Sequence, residues 1–141
     1  MFSFRTLYFV SIMFLIGPAL CLAEKNSNEK TAVAMTEKWL ALTDSGKYDE
    51  SWSEASAYFK NMVSNEQWKR SLEPARKPLG KTISRRLKSA LHKTSLPGVP
   101  DGEYFVIQFD TSFENKKTAV ETVTSMLDKD GKFRVSGYYI K

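Results

Sequence analysis

The chain has one cysteine and one histidine in 141 residues, and these two scarcities remove most of the reactive chemistry a small protein carries. A lone thiol closes no disulfide within the chain, so packing alone must hold the fold. One histidine, His92, cannot supply the usual zinc ligand set, and no metal is expected. No glycine-rich phosphate loop and no serine nucleophile elbow is present, so no cofactor is expected either. Long apolar runs are also missing. The longest occupies residues 7–16, broken only by Ser11, and falls short of the ~20 residues a spanning helix needs.

That short run has a different explanation. Arg5 precedes it without any acid, Gly17-Pro18 ends it, and Cys21-Leu22-Ala23 sets small residues at the positions a signal peptidase reads, with Glu24 next. The pattern predicts a signal peptide over 1–23, cleaved after Ala23, and a single domain over 24–141. The rivals are a retained membrane anchor and a lipoprotein with Cys21 lipidated, against which Leu20 is a poor preceding residue. The expected address is the periplasm of a bacterial envelope, or secretion beyond it, with the membrane touched only in transit. Cys21 leaves with the signal.

Bases exceed acids, 21 to 16, and the excess is local. Residues 60–93 hold ten basic residues against Glu66 and Glu73. Arg76, Lys77, Lys81, Arg85, Arg86 and Lys88 are the centre of this segment.

Along the chain, Glu24 to Asn28 reads as a polar lead-in, with Asn26 and Glu29 spaced to cap a helix. Ala32, Met35, Trp39 and Leu42 recur at three and four, one buried helical stripe, which Asp44-Ser45-Gly46 ends. A second helix is expected with Tyr48, Trp52, Ala55, Phe59 and Met62 on one face. Ser64 and Gln67 have capping-box spacing for a third, with Trp68 and Leu72 buried and Pro74 limiting its length. Residues 76–80 connect to an ambiguous segment, 81–93. Ile83, Leu87 and Leu91 suit either a helix or one face of a strand, and strand is preferred because three strands would leave much helical surface uncovered.

The last 46 residues carry three strands, dense in β-branched and aromatic residues. Phe105, Ile107, Phe109 and Phe113 alternate inward in the first; Phe133, Val135 and Tyr139 do so in the last. Between the second and third, a Lys129-Asp130-Gly131 loop with Gly131 left-handed pairs Leu127 with Phe133. A two-residue Asp130-Gly131 turn would pair Met126 with Val135 instead. The first is preferred because it matches two large apolar residues. Only that register turns Glu121 toward the helices. The fold class is therefore α+β: N-terminal helices packed on a curved antiparallel sheet of about four strands.

Helices followed by a curved sheet are similar to the cone of the nuclear-transport-factor-2-like (NTF2-like), cystatin-like folds. The chain also resembles an exported bacterial family, domain of unknown function 4019. The likeness is carried by Gly46-Lys47-Tyr48 with Ser51-Trp52, and by Arg76 with Pro78-Leu79-Gly80. It continues through Leu96-Pro97-Gly98, Pro100-Asp101-Gly102-Glu103-Tyr104, Glu121-Thr122-Val123-Thr124, and Arg134-Val135 with Gly137-Tyr138-Tyr139-Ile140. The resemblance brings no catalytic residues. It implies a pocket between helices and sheet, which related folds use for small apolar ligands or for isomerase and dehydratase chemistry.

Such chemistry needs an acid–base pair in a dry pocket. His92 reads as a surface residue near a turn. Glu121 is the one candidate catalytic carboxylate; facing inward it would sit among Tyr139, Trp39 and Trp52, where loss of water raises a carboxyl pKa. The plainer and preferred reading turns it to solvent or ties it to a lysine or arginine. Trp39, Trp52, Tyr104 and Tyr139 are candidate ligand contacts, although tryptophans at these spacings more often form core. Arg76 and Arg85 are candidates for an anionic partner, against the plainer reading of a solvated edge strand. Arg85 and Arg86 point to opposite faces of a strand, so they make no single patch. Nucleic acid is not expected, because stacking aromatics are not interleaved with the bases. The reading preferred overall is a small exported, non-catalytic module binding an apolar ligand or an envelope protein. A pocket enzyme using Glu121, and docking of residues 76–93 to anionic envelope surfaces, are its alternatives.

Overall fold

The structure, a computed structural model, describes residues 19–141. The apolar run at 7–16 and Gly17-Pro18, the body of the expected signal, lie outside the described residues. Four α-helices precede four strands: α1 (Ala19–Asp44), α2 (Tyr48–Ser53), α3 (Ala57–Met62), α4 (Asn65–Arg76), β1 (Thr82–Lys93), β2 (Tyr104–Phe113), β3 (Lys116–Leu127) and β4 (Phe133–Ile140). This is the expected α+β class.

α1 starts earlier than expected. The lead-in at 24–28 is helical and Asn26 lies inside the helix, because residues 20–25 hold no glycine, proline or β-branched side chain to stop it. Its buried stripe is Ala32, Thr36, Trp39, Leu40 and Thr43, with Met35 and Leu42 only half-buried at one margin. Gly46, at φ 71°, ends the helix in the left-handed conformation, and the Lys47 amide donates to the Leu42 carbonyl at 2.9 Å.

The single second helix read from the sequence is two. The chain breaks before Ala57, where the Ser56 hydroxyl accepts the Phe59 amide and caps α3. The Ser56 amide itself donates to the Val135 carbonyl at 2.8 Å. A continuous helix would take that amide for its own ladder, so docking onto β4 and helical continuity exclude each other. Ala55 and Phe59 remain buried, but Met62 turns to solvent. α4 has both bonds of the Ser64–Gln67 capping box, and Trp68 and Leu72 are buried as expected. Pro74 does not end it. It lies in the final turn, one turn on from Arg70 on the same exposed face, so the single missing amide is lost on the solvent side.

The sheet is an open antiparallel meander, β1-β2-β3-β4. Segment 81–93 is a strand, as preferred, yet its apolar trio shares no buried face. Register shifts after Thr82 and after Leu87 place Leu87 opposite Phe109 and Leu91 opposite Val106, on opposite faces. Ile83, Leu87 and Leu91 are all exposed on this edge strand. The β3–β4 hairpin has the preferred register, with Leu127 opposite Phe133 and Gly131 at φ 78°. One expectation in β4 fails. Thr124 pairs with Gly137 and Ser125 with Val135, leaving Ser136 as a bulge. Beyond it the alternation inverts, so Tyr138 packs on the core and Tyr139 is 50% exposed.

The helices cover one sheet face. Phe105, Phe109 and Val135 are 1%, 0% and 3% exposed beneath them. Trp39 and Trp68 stand 5.9 Å apart between centroids, and Phe59 meets Trp68 edge-on at 5.1 Å. Such pairs add about 0.5–1.5 kcal/mol each beyond their burial.

Candidate functional site

Glu121 points inward and is fully buried, but arginines surround it rather than tryptophans. α4 delivers Arg76 from its last turn, and β1 delivers Arg85, paired opposite Thr111 of β2. Glu121 Oε1 accepts from Arg76 Nη1 at 3.1 Å, Arg85 Nη2 at 3.1 Å and the Tyr138 hydroxyl at 2.7 Å. Oε2 accepts from Arg85 Nε at 2.7 Å and the Thr111 hydroxyl at 2.6 Å. Asp44, at the end of α1, holds the other side of both guanidiniums, at 2.6 Å from Arg76 Nη2 and 2.7 Å from Arg85 Nη1. The Thr82 hydroxyl adds a donor to Asp44 at 2.9 Å. Two cations thus face two anions across four elements.

The electrostatics follow from the contacts. Burial alone would raise the Asp44 carboxyl, but hydrogen bonds from Arg85 and Arg76 outweigh it and hold the group below its ordinary value. Burial likewise opposes the charge on Arg85, and bonds to Asp44 and Glu121 reverse the balance and raise it. Burial first, then the Glu121 charge, push the Tyr138 hydroxyl well up, so it stays a neutral donor at physiological pH. Glu121 has five donors on its two oxygens. A general base needs a free lone pair aimed at substrate, and this carboxylate offers none.

A second feature lies beside Trp39, where the helices do not close fully over the sheet. A cleft of about 380 Å³ opens between α1, α2 and the β3–β4 hairpin. Met35, Trp39, Leu42, Phe133 and Val135 form apolar walls, and Lys38, Glu50, Glu54 and Arg134 stand at the rim. Exposed Ser53, with Thr36 and Ser125 lying 0% and 1% exposed behind the walls, completes the lining. Neither Thr36 Oγ1 nor Ser125 Oγ has a hydrogen-bond partner among the described residues. Another groove, of about 430 Å³, runs along Trp68, Leu72, Tyr138 and Tyr139. Its buried hydroxyl, on Tyr138, is already committed to Glu121 and Arg76.

The structure separates the other candidates. Trp52 donates to the Val63 carbonyl at 2.7 Å and, half-buried, packs against the core away from the cleft. Tyr104 is buried, with its hydroxyl on the Pro100 carbonyl at 2.5 Å. Tyr139 is exposed, against the expectation, because of the Ser136 bulge. His92 is not a plain surface residue: it is half-buried, with Nε2 2.5 Å from Glu103 Oε2 and its ring 5.2 Å from Phe105. Arg76 and Arg85 are spent on the buried network. Arg86 and Lys88 face outward and share Asp110 at 3.5 and 3.8 Å. Arg76 and Arg85 are not free for a surface partner. Among the described residues no group of three metal-ligating side chains forms.

Asp44, Thr111, Thr36 and Ser125 were not singled out as site residues from the sequence; the Tyr138 hydroxyl, a candidate for a pocket, instead bonds Glu121. Thr36 had a usable signal, since it stands four residues from both Ala32 and Leu40 in a stripe otherwise mostly apolar. The chain matches the model of the family described as Protein of unknown function (DUF4019) over residues 35–138, and it belongs to that family. No curated protein and no solved structure matches it. The matched span contains every residue of the cleft and of the charged network.

Proposed function

We propose that this family member is an exported, non-catalytic binding module that takes a small apolar ligand in the cleft beside Trp39. One observation carries the reading: the helices leave an open cleft of about 380 Å³ over the sheet, walled by Met35, Trp39, Leu42, Phe133 and Val135. The cleft lies in the ~300–1,000 Å³ range of small-molecule sites, toward its lower end. Export rests on the charge and apolar pattern of residues 1–23.

The enzyme alternative has no support in the geometry. Glu121 does not line the cleft, and two guanidiniums and two hydroxyls occupy its oxygens. Docking to anionic surfaces is weakened in the same way, because Arg76 and Arg85 face inward.

The test is a thermal-shift screen of small apolar fragments against the protein. Several are expected to raise Tm, as any ligand that binds only the folded state must. A Leu42→Trp variant, which fills the cleft, should lose those shifts. Fragment effects that survive Leu42→Trp, or no hits at all, would remove the reading.

A further inference from the structure

We infer that the free edge of β4 beside α4 takes an added strand: an extended segment of another polypeptide, carrying an apolar and an acidic side chain, pairs with Tyr138 and Ile140. This surface is separate from the cleft beside Trp39 and does not depend on it.

The backbone pattern decides which groups are free. Lys141 and Val120 exchange both of their hydrogen bonds, at 3.0 and 2.9 Å, and the register runs without a shift from there to Thr124 opposite Gly137. Bonded and non-bonded pairs alternate along an antiparallel ladder. Tyr139 and Gly137 therefore turn to β3, and the amides and carbonyls of Tyr138 and Ile140 point away from it. β4 is an outer strand of the sheet, and no backbone partner meets those groups among the described residues. Upstream on the same edge a partner is present, since the Val135 carbonyl accepts the Ser56 amide at 2.8 Å. Open edges are usually protected by charge, proline or a bulge. β1, the opposite edge, has two register shifts and carries Arg86, Lys88 and Lys93. Residues 137–140 of β4, Gly-Tyr-Tyr-Ile, have neither charge nor shift among them.

Beside this edge lies the groove of about 430 Å³. α4 lines it at positions 68, 71, 72 and 75, one helical face, and there Ser71 and Ala75 are small and exposed. They leave room for a backbone between helix and strand. A residue bonded to Tyr138 shares its face of the sheet, which is the face where the Tyr138 ring meets Trp68 at 6.4 Å. Its side chain lies toward Trp68 and Leu72 and is apolar. Lys116, the one charged residue of the lining, makes no ion pair among the described residues. It supplies the second requirement, a carboxylate. A second copy paired through the same stretch brings no acid to Lys116, because residues 137–141 contain none.

The probe is an acetylated, amidated heptapeptide with a central valine, a glutamate two residues to either side and threonine elsewhere, so either strand direction brings a carboxylate to Lys116. It is expected to shift the Tyr138 and Ile140 amides and to slow their hydrogen exchange. N-methylation at the valine and both glutamates removes the donors facing β4 and should weaken binding at least about tenfold. Lysine in place of glutamate should weaken it about two- to fivefold, and Lys116→Glu should reverse that preference. Ser71→Tyr, at an exposed site, should fill the groove and abolish the shifts while Tm is kept. Undiminished binding of the N-methylated peptide would overturn the inference, the groove then holding side chains without an added strand. Concentration-dependent shifts of the same amides without peptide would overturn it in favour of a second copy. Decanoate binding there more tightly than the peptide would make the groove a site for small acids and refute it. No shift at Tyr138 or Ile140 with any peptide would refute it as well.

Discussion

Glu121 is held by more donors than any other carboxylate described, and they come from four residues on four elements, Arg76 of α4, Arg85 of β1, Thr111 of β2 and Tyr138 of β4. Its replacement by glutamine keeps the shape but leaves Arg76 and Arg85 with Asp44 as their only anion. Breaking a buried pair from one side costs about 3–5 kcal/mol, so Glu121→Gln should lower the urea midpoint by a corresponding amount. A change within about 0.5 kcal/mol, typical of surface sites, would mean the network is not closed as described. Asp44 gives the pH dependence. Its carboxyl is held below the ordinary 3.8, so the unfolded chain binds its proton first. The stabilisation is complete above that value and is lost as pH falls through the lower, folded one. Unfolding free energies of the protein and of Asp44→Asn should therefore converge as pH drops below about 4. A difference that stays constant with pH would contradict the assignment. The inward direction of Glu121 was legible, because hairpin register fixes the face of every residue in β3. A tie to an arginine was part of the preferred reading, but which arginines was not legible: Arg76, Arg85 and Tyr138 lie far from it in sequence, and no local pattern links them.

Among the elements, two expectations that held rest on local chemistry, and the break at Ser56 that was missed rests on a contact with another element. The Ser64–Gln67 cap and the Gly131 hairpin are set by residues three or four apart. The break at Ser56 exists because its amide bonds to β4, and the apolar stripe from Trp52 to Phe59 runs through it without a gap. The bulge at Ser136 is silent for another reason: small Ser136 and Gly137 fit either face, and the tyrosine pair that follows suits both phases of the alternation. Ser56→Ala removes the cap of α3 and should cost about 1 kcal/mol, read by urea unfolding. No loss of stability would show that the amide bond to Val135, which the substitution keeps, fixes this junction alone.

For the molecule as a whole, the face that helices must cover was readable from alternation in β2 and β4, and Phe105, Phe109 and Val135 are covered. A pocket between helices and sheet was expected only from the resemblance, with Trp39 as a candidate contact, and the cleft beside Trp39 lies there. Around Glu121 both carboxylate oxygens are bonded, and the region ties α1, α4 and the sheet together. The cleft beside Trp39 is the part of the molecule proposed to take a ligand. The most direct measurement is the amide spectrum of the protein with and without saturating 1-hexanol. The account predicts shifts concentrated at Thr36, Trp39, Ser125 and Val135, with Glu121 and Arg85 unmoved. Shifts centred on Glu121, or scattered over the outer face of the sheet, would contradict it.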